Sequence, residues 1–243
     1  MIENLNLKKT PKQVLLEARV GLWSATGLTI ASSMFLIALV VTFVIFPLNF
    51  NWQGIEVYAQ SFTQHYWQIL MFVIPCFLIS PLYLILTVAI HRFAPEEKHI
   101  LSLLGIVFAV AYVAQITANY YLQMSAISQS ISTGLLDGTT LFAFGNLNSI
   151  FWSMEILGYT WLSISMIFTG RLFSDGKMET TIKWIFIVNG ILGVVAIIQA
   201  VTHLDFGFPF SLVFFAFTFP VATAMMALLF HRVPKKDNKL TPQ

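Results

Sequence analysis

Residues 142–171, FAFGNLNSIFWSMEILGYTWLSISMIFTGR, decide how the rest of the chain is read. The run is apolar and long enough to cross a bilayer as a helix, because about 20 residues at ~1.5 Å rise span the ~30 Å hydrocarbon core. It nevertheless carries a carboxylate, Glu155, about two turns from its outer end. An ionisable group at that depth is costly and is by default a site whose partner has to be found. Asn148, Trp152, Glu155 and Tyr159 recur at steps of four, three and four, so a helix gathers them into one stripe of aromatic and polar groups. Farther along, the same face carries only Leu162 and Met166, so the stripe stops near mid-membrane. The stripe is expected to face protein or water rather than lipid.

Composition gives the same class. Hydrophobic residues make up 57% of the 243, charged residues 10% and aromatics 15%, with a mean hydropathy of +0.78. A water-soluble domain carries roughly 25% charge, so this chain has too little polar surface to cover itself in water. The lipid bilayer is therefore its expected partner. The 13 Lys and Arg form no stripe interleaved with aromatics, which argues against nucleic acid. Cys76 is the single cysteine and sits in an apolar run, which excludes an intrachain disulfide and a cysteine-based zinc site. The first 20 residues lack the apolar core and cleavage site of a signal peptide and are expected to stay in the chain.

Outward from the central stretch, five more apolar runs make an all-α polytopic bundle of six spans, at about 21–46, 65–90, 100–123, 142–171, 183–202 and 208–230. The expected divisions are an amphipathic segment over 1–20, the six-span domain over 21–230 and a basic tail over 231–243. Thr10, Pro11 and Gln13 form a helix-start signature, with Thr10 as N-cap, proline at the first position and glutamine completing a capping box. Ser24, Gly27 and Ala31 share one face of the first span, the small-residue pattern by which membrane helices approach closely. Residues 47–64 read as a loop, the second span contains Pro75 and Pro81, and Pro95 with Glu96 and Glu97 opens the third. In the third span Tyr112, Gln115, Asn119 and Gln123 share a face. In the fifth, Asn189, Gly193, Ala196, Ala200 and His203 share another, with Gln199 beside His203.

Six spans put both termini on one side. All 13 basic residues then fall on that side, and the opposite loops hold only Glu56, Asp137 and Asp205 as charges. That asymmetry predicts cytoplasmic termini in a cell (inner) membrane. In this arrangement Glu155, Asn148, Gln115, Asn119, Gln123, Gln199 and His203 all lie in the outer half, joined by Gln64, His65 and Gln68. They are expected to line a polar cavity opening away from the cytoplasm.

The runs GNLNSIFWSMEILGY (145–159), APEEK (94–98) and KWIFIVNGIL (183–192) resemble a group of prokaryotic multi-pass membrane proteins with no assigned activity. The resemblance covers about residues 65–200, agrees with the span assignment and carries over no functional residue.

Three functions stay open. The first is a membrane protein that binds or passes a small molecule or a proton at Glu155, with Asn148, Gln115, Asn119, Gln199 and His203 around it and Trp152 and Tyr159 as walls. The second is a structural or regulatory subunit in which Asn, Gln and a protonated Glu155 only bridge helices, at about 0.6–2 kcal/mol each. The third is an intramembrane enzyme, but the sequence has no HExxH, GxSxG, Walker or Rossmann pattern. Neither a cofactor nor a metal site is indicated by any spacing.

Overall fold

The computed structural model describes residues 10–42, 52–174, 176–202 and 208–237, the last of these with backbone only at 208–210 and 234–237. Within them the chain is all-helical, and six helices are long and apolar enough to span a membrane. His203, Asp205, residues 43–51 and the end of the tail lie outside the described residues.

Helix α1, Pro11–Val40, begins as its sequence dictates. Thr10 Oγ1 accepts from the Gln13 amide at 3.3 Å, and the Gln13 side chain accepts from the Thr10 amide at 3.0 Å. A cap of this kind stabilises a helix start by about 1 kcal/mol. The small-residue face lets two neighbours approach. Ser24, Ala25 and Ala31 are buried, Thr29 Oγ1 donates to Thr223 Oγ1 at 3.0 Å, and a side chain at Gly21 would run into the Phe230 ring.

Residues Ile55–Gln64 form a helix, α2, where the sequence reading has a loop. Ile55, Tyr58 and Phe62 recur at steps of three and four, and Phe62 is buried. Ten residues are too few to span a bilayer, and α2 packs on α3 and α5. Helix α3, Tyr66–Phe93, runs continuously through Pro75 and Pro81. Pro95 precedes a single 3-10 turn, Glu96–Lys98, and so stands one residue before the helical position expected of it.

The third span is longer than its apolar run. Helix α4, His99–Leu122, passes through a π-turn at Gln123–Ile127 into α5, Ser128–Thr133. The 38 residues of Glu96–Thr133 reach about 57 Å at 1.5 Å per residue. That is longer than the ~30 Å hydrocarbon core of a bilayer requires, and α2 packs on the polar α5 end. The helix stops at Gly134 with φ +73°, where the Leu135 amide bonds back to the Ser130 carbonyl and the Gly134 amide to that of Ile131, a Schellman closure.

The remaining spans are α6, Ile150–Gly170; α7, Gly176–Thr202; and α8, Phe208–Asp237. Helix α6 starts eight residues later than expected from 142, because Gly145, Asn146, Asn148 and Ser149 turn the chain instead. Helix α7 starts seven residues earlier than 183, and α8 continues seven beyond 230 into the expected tail.

The six long helices form a closed ring. Helix α1 packs on α3, α3 on α4, α4 on α6, α6 on α7, α7 on α8, and α8 returns to α1. Small residues set the closest approaches. A Cβ at Gly105 would come within 2.7 Å of Thr169 Oγ1, and one at Gly190 within 2.7 Å of the Ser163 carbonyl. The axis is filled midway by Tyr83, Tyr112, Phe186 and Phe219, all fully buried.

Candidate functional site

Glu155 sits on the second turn of α6 and is 9% exposed. Its two oxygens are held by consecutive residues of α4. Asn119 Nδ2 donates to Oε2 at 3.1 Å and also to the Phe151 carbonyl at 3.1 Å, and the Tyr120 hydroxyl donates to Oε1. The Cys76 thiol of α3 lies beside the hydroxyls of Tyr120 and Tyr159. No Lys, Arg or His pairs with Glu155 among the described residues.

The carboxyl reaches a cavity of about 340 Å³ at one end of the ring. Helix α1 contributes Phe35 and Leu39, α3 contributes Phe72, and α6 contributes Trp152, Glu155, Tyr159 and Ser163. From α7 come Asn189, Gly193 and Ala196; from α8, Ser211, Leu212 and Phe215. Most of these positions lie toward the α1 end, the α3 start, the α6 start, the α7 end and the α8 start, which is one end of the bundle, and Ser163 and Asn189 carry the lining to the middle of α6 and α7. The floor is aromatic. Tyr159 stands edge-on to Tyr112 at 5.8 Å and to Phe215 at 6.0 Å, and Phe215 stacks on Phe219 at 4.6 Å.

The rim is built by the turn that precedes α6. Trp152 Nε1 donates to the Phe144 carbonyl at 2.8 Å, and the two rings lie 5.4 Å apart. Gln123 Nε2 donates to the Phe142 carbonyl at 2.8 Å, fastening this turn to the π-turn after α4. From α2 the Tyr58 ring covers Gly145, where a Cβ would come within 2.6 Å of it. The cavity reaches the surface at Leu147, which is 60% exposed.

The sequence-read residues are only partly brought together. Trp152, Glu155 and Tyr159 line the cavity, and Asn119 touches the carboxyl. Asn148 does not join them. It precedes α6 in an exposed turn, where its amide donates to Asn146 Oδ1 at 3.1 Å. Gln115 also stands apart, bridging α4 to α6 by donating to the Met154 carbonyl at 2.7 Å and accepting from Trp161 Nε1 at 3.2 Å. Gln199 is buried on α7 outside the cavity lining. Gln64, His65 and Gln68 do not line it either, and His65 Nδ1 bonds the Ser61 carbonyl at 3.0 Å. His203 lies outside the described residues.

The expected polar cavity is therefore mainly apolar and aromatic around one carboxyl. Amide side chains in a bundle satisfy one another and nearby carbonyls before they line a void, because an unmet donor in lipid is expensive. Tyr120 and Phe215 are site residues the sequence reading missed. Tyr120 lies eight residues after Tyr112, with Ile116 between them at four, and that spacing is the signal that places it on the buried face. Phe215 gives no such signal among the 23 Phe.

Among the described residues no three His, Cys, Asp or Glu side chains converge as metal ligands. The arrangement can enclose an apolar body and accept hydrogen bonds or charge from one polar end at Glu155. No known protein family, curated protein or solved structure matches this chain.

Proposed function

We propose that this is an integral membrane protein that binds a small, largely apolar molecule in the cavity beside Glu155, with the polar end of that molecule on the carboxyl. The observation that supports the reading is the void of about 340 Å³ walled by aromatics with one ionisable carboxyl in its side. Volumes of about 300–1,000 Å³ with few, convergent polar groups are typical of ligand sites. In this reading both termini lie in the cytoplasm of a cell with an inner membrane, following the basic residues, and the cavity lies in the outer half of the bilayer.

The test is thermal stability in detergent across pH, with and without a panel of small amphiphiles, for the parent, Glu155→Gln and Ala196→Trp. A bound ligand stabilises the folded state. Ligands are expected to raise the melting temperature of the parent. Ala196→Trp, which fills the cavity, should abolish that rise, and Glu155→Gln should weaken it. Identical responses in all three would discard the cavity as the site.

One observation favours a second reading, a structural subunit. Both oxygens of Glu155 are already met by α4, so the carboxyl ties α4 to α6 whatever occupies the void.

A further inference from the structure

Among the described cavity residues Glu155 is the only carboxyl, and no Lys, Arg or His lines the void. Its hydrogen-bond donors, Asn119 and Tyr120, are neutral. The described basic residues stand at the opposite ends of the same helices. Arg92 and Lys98 bracket the α3–α4 turn, Arg171 and Lys177 bracket the α6–α7 turn, and Arg232 is near the end of α8. An ionised carboxylate in an apolar wall gains most from an opposite charge at close range, and the described residues supply none there.

Aromatic residues line the same void. Tyr120, Trp152, Tyr159 and Phe215 are among them, and aromatic rings carry the quadrupole that attracts quaternary and protonated amines. Elsewhere in the lining, Ser163, Gly193, Ala196 and Ser211 are small and leave room for an apolar body. We propose that the cavity takes an organic cation with an apolar body, its amine or quaternary ammonium on Glu155 and among these rings. The assignment rests on the cavity being a binding site; it adds the charge of the ligand.

Protonation follows from it. A cation pairs with the ionised carboxyl, so on the acidic side of the Glu155 titration each cation bound releases one proton. Affinity there rises about tenfold per pH unit and levels off once the group is ionised. The other titratable groups facing Glu155 are Cys76 from α3, Tyr112 and Tyr120 from α4 and Tyr159 from α6. The described lining residues of α1, α7 and α8 do not titrate.

The experiment uses two probes of one shape, 3-phenylpropyl-trimethylammonium and its uncharged tert-butyl isostere. Their binding is measured by equilibrium dialysis on protein-loaded nanodiscs against empty ones, across pH, for the parent and Glu155→Gln. The cation should bind the parent with affinity rising with pH, and lose at least tenfold in Glu155→Gln. The neutral isostere should bind both proteins alike at every pH, which also shows that the variant keeps its fold. Cation binding that is insensitive to Glu155→Gln, or no tighter than the isostere, overturns the charge assignment and leaves the cavity reading standing. Binding of neither probe overturns both.

Discussion

Glu155 is fixed by two neighbouring side chains on one turn of α4, and that economy makes its neighbours sensitive to what replaces it. Glu155→Gln keeps a carbonyl oxygen for Tyr120 and is expected to cost about 1 kcal/mol, the net worth of one hydrogen bond. Glu155→Leu leaves the Tyr120 hydroxyl and one N–H of Asn119 facing an apolar wall, while Asn119 keeps the Phe151 carbonyl, and should cost about 1–3 kcal/mol. Thermal or denaturant melts of the two variants check the order; equal stability would mean that Asn119 and Tyr120 find other acceptors. At the start of α1, Thr10→Ala removes the capping box and should cost about 1 kcal/mol, read from the same melts.

Among the elements, α6 and α7 depend on a seam of small residues. Gly190 faces Ile167 and the Ser163 carbonyl, and Gly193 faces the Ser163 side chain. Gly190→Leu has no room without parting the helices and should destabilise by about 1–3 kcal/mol. It should also change ligand binding, because Asn189 and Gly193 line the cavity from the same stretch of α7. Parent-like stability with parent-like binding would show that the seam gives way freely. The end of α5 makes a cleaner case. Gly134 takes φ +73° with open space around it, so Gly134→Ala meets only backbone strain, about 1–2 kcal/mol.

For the whole molecule, the closed ring makes the two ends of the bundle different in kind. One end holds the described ion pair, Arg92 Nε with Glu17 Oε1 at 2.8 Å, where Arg92 is 52% exposed. A pair so exposed adds at most about 1 kcal/mol. The other end holds the cavity, α2 and α5. Cysteine labelling tests their orientation. In a Cys76→Ser background, Asp137→Cys should react with an impermeant maleimide added outside intact cells, and Glu97→Cys only after the membrane is opened. Both positions are exposed, so the reverse pattern would invert the topology proposed.

The amino-acid sequence by itself determined the class, the number of long apolar helices and the start of α1, because hydropathy and capping are local properties that each residue carries wherever the chain goes. It also marked Glu155 and the stripe through Trp152 and Tyr159, because a charge in an apolar run stands out without any partner. Tertiary structure decided what the stripe meets. Asn148 fell into a turn because Gly145 and Asn146 interrupt the helix before it, and Gln115 was taken by a carbonyl and an indole of α6. The aromatic cavity exists only where six helices bring Phe35, Phe72, Trp152, Phe215 and their neighbours to one place. An apolar residue facing lipid and one facing a void look the same in sequence, since both are buried from water, and only the packing of the ring tells them apart.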